Sequence, residues 1–215
     1  KKRTISDDVY DAILANIVQL TYAPGEKLSE TKLATELGVS RAPIKTALSK
    51  LQNDGFVQIK PQYGTFVSKI SEKRAENICA IREVLEIMAV KRAVKNISDV
   101  QLNKIEHMFK ELDAMKEFTN EKKQLVYQTD AILHKTIYEA CGNEIISEVI
   151  NRYAPEIQRI QRANITWENR KDMTQQEMKK IFTALKKRNE KTAVLAMKEH
   201  ISNIMKTIKM VNKRE

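Results

Sequence analysis

The sequence predicts a mainly α protein in two parts. Residues 1–70 read as a small unit of two tightly joined helices and a β-hairpin, and residues 71–215 as an antiparallel all-α helical bundle. Three observations predict this. Two short helical periods meet at Gly38 with almost no linker. Two β-branched and aromatic runs then flank Pro61-Gln62-Tyr63-Gly64. Beyond Ile70 the apolar residues recur only at helical spacing.

The first helix starts at Ser29, an N-cap residue, with Leu28 before it and Leu33 inside it placed to close a hydrophobic staple. Leu33, Ala34 and Leu37 form its buried stripe, and Gly38 supplies the left-handed residue that stops it. Ser40 is expected to cap the next helix, about Arg41 to Asp54, with Pro43 in its first turn, where a missing N–H costs nothing. Ile44, Ala47, Leu48 and Leu51 fall at i, i+3, i+4 and i+7 and make its inner face. Phe56–Lys60 and Thr65–Ser68 read as the two strands of the hairpin.

The outer face of the second helix points to duplex DNA. It carries Ala42, Thr46, Ser49 and Asn53, with Lys45 and Lys50 at its margins and Arg41 projecting from the first turn. Small and hydroxyl side chains let a backbone approach base edges, while cations reach guanine edges or phosphates. No acidic residue lies between Arg41 and Asn53. Two amphipathic helices and a hairpin also make an ordinary small core. The tight joint, the cations and a glycine-tipped wing occurring in this order favour a winged helix-turn-helix with a small β-hairpin wing.

The segment from about Ser6 to Ile70 resembles the GntR family DNA-binding domain. The likeness lies in Leu33-Ala34, the run Leu37-Gly38-Val39-Ser40-Arg41-Ala42-Pro43-Ile44-Lys45, Ala47-Leu48, Leu51, Asp54-Gly55 and the wing Gly64-Thr65-Phe66-Val67. It implies that Arg41 and Lys45 contact DNA and that Gly64 enters the minor groove. Lys45 stands where arginine is more usual, and Thr31 where some relatives carry a further arginine. The DNA-facing set is therefore Ser40, Arg41, Ala42, Lys45, Thr46, Ser49, Lys50 and Gly64.

Composition bounds the reading without deciding it. The net charge is +10, yet residues 1–70 hold ten basic and seven acidic side chains, so most of the excess lies downstream. The densest run, Lys179, Lys180, Lys186, Lys187, Arg188 and Lys191, reads as a solvated helix face. No apolar run suits a bilayer and no signal-peptide pattern opens the chain, so a cytoplasmic location without membrane contact is expected. Cys79 and Cys141 lie in apolar helical contexts and read as buried free thiols.

The downstream helices are expected over Glu72–Lys95, Asp99–Phe118, Glu121–Cys141, Glu144–Arg162, Gln175–Lys187 and Glu190–Val211. Ser98 with Gln101 and Thr174 with Glu177 read as capping boxes, Gly142 as a stop, and Pro155 as a kink or break in the fourth helix. Three inward polar positions stand out. Asp130 sits in the stripe Val126, Leu133, Ile137 and Cys141, with His134 one turn on, while His200 lies beside Met197, Ile201 and Ile204. Arg82 is flanked by Ala75, Ile78, Leu85 and Ala89. An inward carboxylate without a partner is expensive. One Asp and two His converging near an Arg make a site for a divalent metal and an anionic ligand; alternatively Asp130 pairs with Arg82 and the histidines are hydrogen-bonded core residues.

Residues of about 75–210 resemble the FCD ligand-binding domain of the FadR branch of GntR regulators. Its metal-binding members join an Asp-x3-His pair to two later histidines, and a small carboxylate effector completes the shell. Asp130-Ala131-Ile132-Leu133-His134 matches the pair and His200 the last ligand, whereas the remaining histidine aligns with Met178. A thioether is a poor ligand for hard divalent ions, and with Ile181, Phe182 and Leu185 Met178 also forms an ordinary apolar face. The resemblance leaves two forms of the site: zinc or a similar ion on Asp130, His134 and His200, or a metal-free pocket.

The resulting expectation is a ligand-responsive bacterial transcriptional regulator. It would bind an inverted-repeat operator in double-stranded DNA as a homodimer and sense a small carboxylate at Arg82, Asp130, His134 and His200, with helix Glu72–Lys95 as the lever. Two other classes stand beside it. One is a metal-dependent enzyme in the bundle, which lacks a further inward carboxylate in a clear general-base position; the other is a DNA-binding protein with no effector.

Overall fold

A computed structural model describes residues 2–165 and 171–212. The chain divides into two compact units, Lys1–Ser71 and Glu72–Glu215. Ten helices and one three-stranded sheet occur among the described residues, in keeping with a mainly α protein.

The first unit begins with a helix that sequence reasoning did not single out, α1 (Ile5–Val18). Its signal is a capping box. The Thr4 hydroxyl accepts the Asp7 N–H, and the Asp7 carboxylate accepts the Thr4 N–H at 3.0 Å. Val9, Ile13 and Ile17 then recur every four residues and are buried. The two-residue β1 (Lys27–Leu28) is too short to show alternation, yet it turns the expected hairpin into a three-stranded antiparallel sheet.

Helices α2 (Glu30–Leu37) and α3 (Arg41–Asn53) meet at Gly38, whose φ of 65° places it in the left-handed region. Ser29 accepts the Lys32 N–H and caps α2 as expected. Ser40 occupies the N-cap position of α3 but makes no side-chain cap bond. The reason is Pro43, which sits three residues on, where a capping side chain ordinarily finds an N–H that proline lacks. The wing is β2 (Val57–Lys60) and β3 (Gly64–Val67), paired Val57 to Val67 through Lys60 to Gly64, and β1 adds to the outer edge of β3. Ile13, Ile17, Ile44 and Leu51, all fully buried, anchor a single core with Leu33, Leu48 and Phe56. Each contributes roughly 1.5–3 kcal/mol of burial.

The second unit comprises α4 (Glu72–Asn96), α5 (Asp99–Ala114), α6 (Asn120–Cys141), α7 (Glu144–Arg152), α8 (Ala154–Ile165), α9 (Lys171–Lys186) and α10 (Glu190–Asn212). Helix α10 lies against α4 and α9, and α4 against α6. The Ser98–Gln101 capping box is present and Gly142 stops α6 in the left-handed region. The break expected near Pro155 is present: the segment Glu144–Arg162 is two helices, with Pro155 in the first turn of the second, where no N–H is required. Two expectations need correction. Helix α5 ends at Ala114 because Met115 turns extended, and its carbonyl accepts from Lys122 Nζ at 2.6 Å. Helix α9 already runs from Lys171, so Thr174 lies inside it and Glu177 is not a capping partner.

The lysine run on α9 is laced with acids, as a solvated face should be: Lys179 pairs with Asp113, Lys180 with Glu199 and Lys186 with Glu106. Cys79 and Cys141 are free and buried. Among the described residues no helix is long and apolar enough to cross a membrane.

Candidate functional site

Two places concentrate polar chemistry. The first is the outer face of α3 and the wing. Arg41, Ala42, Lys45, Thr46, Ser49, Lys50 and the preceding Ser40 are all exposed, opposite the buried Ile44, Ala47, Leu48 and Leu51. The absence of acids within α3 does not mean that none approaches it. Arg41 Nη2 lies 3.1 Å from Glu30 of α2, and Lys50 Nζ lies 2.5 Å from Asp7 of α1. These pairs are exposed and cheap to break, so they orient the cations without removing them from use.

The wing brings cations that sequence reasoning missed. Lys27 and Lys60 place their ammonium groups 5.9 and 5.3 Å from the Phe66 ring centroid. Tyr63 at the tip is 72% exposed. Gly64 has a φ of 110°, a conformation that L side chains rarely adopt, which is why the tip carries glycine; the end of the Lys27 side chain, 2.9 Å from where a Cβ would sit, could move aside. Only pairing with β3 brings Lys27 here; nothing in its local sequence marks it.

The second place is a buried polar cluster in the helical unit. Helix α6 contributes Asp130 and His134, α10 contributes His200, and all three are at least 95% buried. His134 Nε2 lies 3.4 Å from His200 Nε2, and Asp130 Oδ1 lies 3.7 and 3.5 Å from these two nitrogens. Asp130 Oδ1 has no hydrogen-bond partner. In one tautomer the two Nε2 atoms share a hydrogen bond; with both histidines protonated at Nδ1, three lone pairs face one another at this spacing and repel unless a cation lies between them. Ligand bonds of about 2.0–2.2 Å in a tetrahedron put donor atoms roughly 3.3–3.6 Å apart, which the three distances match closely. The donor set therefore fits a divalent ion such as zinc, with one position left for an outside ligand.

Around these atoms stand groups that the spacing did not reveal. Glu86 Oε2 is 2.7 Å from His134 Nδ1, an ion-pair approach without hydrogen-bond alignment, and Arg82 Nε donates to Glu86 Oε1 at 2.6 Å. Glu177 Oε2 is 3.0 Å from His200 Nδ1, and Asn203 donates to Glu177 Oε1 at 2.8 Å. Gln161 donates to Asp130 Oδ2 at 2.6 Å. Arg82 thus takes Glu86, not Asp130, as its partner, and the bundle interior holds two carboxylates more than the sequence reading allowed. Glu86 was hidden as the second half of an ordinary i, i+4 pair on α4, and Glu177 behind the false capping box.

The charges here support one another. Burial alone would push the Glu86 carboxyl up, but Arg82 and His134 beside it hold it well below the usual carboxylate range. Burial would likewise lower His134, and the Glu86 and Asp130 carboxylates reverse this, so its pKa is raised. Burial pushes the Tyr138 hydroxyl far up, leaving it a neutral donor at physiological pH. Met178 is fully buried, as an apolar face residue should be.

The cluster opens onto a cavity of about 470 Å³. Arg82, Asp130, His134, Tyr138, Gln158 and Gln161 line its polar side, and Ile150, Ala154 and Ile157 supply apolar wall. Its size and its mixture of apolar wall and convergent polar groups suit a small organic molecule.

Comparison with known proteins places this geometry. Residues 5–67 match the model of the bacterial regulatory proteins of the gntR family, and residues 77–203 match the FCD domain. The HTH-type transcriptional repressor RspR of Escherichia coli (strain K12) is 26% identical over 209 residues, covering 96% of this chain and 90% of that protein. The regulator YdhC of Bacillus subtilis (strain 168) is 24% identical over 202 residues, covering 94% and 90%. Among solved structures, Escherichia coli McbR/YncC superposes with a TM-score of 0.73 at 19% identity, covering 99% of both chains. A GntR regulator from Rhodococcus sp. RHA1 does so with a TM-score of 0.74 at 19% identity, covering 94% and 96%. The gntR family and these relatives are transcriptional regulators, not enzymes. The chain belongs to the GntR family of transcriptional regulators and carries an FCD domain behind its DNA-binding unit.

Proposed function

We propose that this chain binds an inverted-repeat operator as a homodimer and answers to a small organic acid sensed in its helical domain. The observation that carries the sensing half is the buried cluster of Asp130, His134 and His200, of which Asp130 and His134 line the 470 Å³ cavity together with Arg82. Asp130, His134 and His200 would hold a divalent ion such as zinc. When bound, the ion supplies a Lewis-acidic anchor for a carboxylate oxygen. Gln161 steadies Asp130, Arg82 adds positive charge, and Tyr138 offers a neutral hydroxyl to the same guest.

The exposed face of α3 supports major-groove entry, with Arg41, Lys45 and Lys50 at its edges and Thr46 and Ser49 along it. The wing, with Gly64, Lys27 and Lys60, would lie on the adjacent backbone. Two copies would present two recognition helices to successive major-groove faces, so the operator is expected to be a short inverted repeat. Support for self-association comes from Ile81, Val84 and Met88 on α4, which are 42, 64 and 46% exposed at helical spacing. The organic acid must bind the DNA-competent and incompetent arrangements with different free energies, and α4, next in the chain after the wing, is the proposed lever.

Thermal-shift measurement of the full chain against small mono- and dicarboxylates, with and without zinc, tests this reading. A ligand at 100 times its Kd should stabilise by about 2.7 kcal/mol and should alter operator affinity. If no carboxylate raises the melting temperature in either condition, the protein is a DNA-binding factor without this kind of effector.

A further inference from the structure

Each of the three buried acids around the imidazoles is tied in the same way: one oxygen is held by an N–H donor and the other is aimed inward. Arg82 Nε holds Glu86 Oε1, while Glu86 Oε2 faces His134 Nδ1 at 2.7 Å. Asn203 holds Glu177 Oε1, while Glu177 Oε2 faces His200 Nδ1 at 3.0 Å. Gln161 holds Asp130 Oδ2, while Asp130 Oδ1 faces both Nε2 atoms. Glu86 is completely buried and Glu177 is 4% exposed, so neither carboxylate is there for solubility.

We propose that Glu177, with Glu86 in a supporting electrostatic part, is a positioning residue of the cation site. Glu177, hydrogen-bonded to His200 Nδ1, sets which nitrogen of that imidazole carries the proton, and the Glu86 carboxylate 2.7 Å from His134 Nδ1 favours a proton on that nitrogen by its charge, so that both Nε2 atoms are left to face Asp130 Oδ1. A carboxylate accepting Nδ1–H fixes the tautomer and ring angle and makes the opposite nitrogen a stronger donor to a cation. Glu86 and Glu177 therefore shape the site without touching an ion themselves. This inference rests on the cation reading above and adds a specific cause for it. Met178 makes the arrangement matter more. With no fourth imidazole from that position, binding depends on three donors being held in place beforehand rather than on their number. Arg82 consequently has two duties: it lines the cavity, and it holds the Glu86 carboxylate that stands beside His134.

The test measures zinc affinity of the full chain by competition with a chromogenic chelator, and the visible spectrum of the cobalt(II)-loaded protein, which reports ligand number and geometry. Glu177→Leu removes the acceptor and the charge; Glu177→Gln keeps an acceptor and removes only the charge. The expected order of affinity is wild type, then Glu177→Gln, then Glu177→Leu, with a loss of about 10- to 100-fold by the last and an altered cobalt spectrum. Asn203→Ala, which removes one of the groups that hold Glu177, should give a smaller loss in the same direction. It serves as the second variant should Glu177→Leu fail to fold. Affinities within twofold of wild type in all three, with an unchanged spectrum, overturn the positioning role while leaving the cation site standing. A wild-type chain that takes up neither zinc nor cobalt overturns both.

Discussion

The pair of Arg82 and Glu86 offers a sharp energetic test of the buried cluster. Their side chains are 3% and 0% exposed and meet at 2.6 Å. Arg82→Ala would leave Glu86 buried without its guanidinium, and an uncompensated buried charge of this kind costs about 3–5 kcal/mol. In a helical unit of this size each kcal/mol moves the melting temperature by roughly 3 °C, so the expected drop is about 10–15 °C. The control is Lys180→Ala. Lys180 and Glu199 are 2.9 Å apart, a similar separation, but 55% and 49% exposed, and their loss should cost no more than about 1 kcal/mol. Adding Glu86→Gln to Arg82→Ala removes the stranded charge and should recover part of the loss. Differential scanning calorimetry of the full chain reads all three. If Arg82→Ala melts within two or three degrees of Lys180→Ala, the burial argument for this cluster is wrong.

Further consequences concern the DNA-facing unit and pH. Arg41→Ala should weaken operator binding by about 1–3 kcal/mol per half-site, roughly 5- to 150-fold, in a gel-shift titration. Its pair with Glu30 is exposed, so circular dichroism should find the fold intact, and unchanged operator affinity would remove Arg41 from the interface. Replacing Lys27 and Lys60 by Ala should flatten the dependence of log affinity on log salt by about 1 for each phosphate no longer neutralised, without changing which sequence is preferred. A preserved slope would take the wing cations off the DNA. Burial pushes the Tyr127 hydroxyl up to about 12, so folding favours its neutral form. That contribution is complete below pH 10 and fades as pH rises from 10 through 12. Tyr127→Phe should therefore lose less stability over that window than wild type in urea titrations, and parallel losses would contradict this.

How much could be read from the chain alone follows from where each signal lives. Helix α3 and its two faces are local: one 3.6-residue period, one proline and one flanking glycine define them. Asp130, His134 and His200 are legible for the same reason, because a polar residue in the middle of an apolar stripe is conspicuous. Glu86 and Glu177 are not, since each has an innocent local explanation that only the packing of α4 against α6 and of α9 against α10 removes. The Thr174–Glu177 spacing shows how a capping motif is counterfeited when the helix starts four residues earlier than the motif implies. Strand β1 escapes because two residues carry no period, and with it Lys27. Helix α1 was legible, through Thr4, Asp7 and the spacing of Val9, Ile13 and Ile17, but a weak amphipathic stretch ahead of a strong motif is easily passed over. The tethers on Arg41 and Lys50 come from Glu30 and Asp7, which lie on other helices and are invisible to a reading of α3 alone.

The central claim is that the face of α3 running from Arg41 to Lys50 reads duplex DNA as a symmetric pair. Selection of binding sites by the full chain from a pool of random duplexes tests this most directly. An enriched inverted repeat with half-sites about one helical turn apart, lost when the selection is repeated with Arg41→Ala, is the predicted result. A pool that remains random after successive rounds, or enrichment that survives Arg41→Ala unchanged, would contradict it.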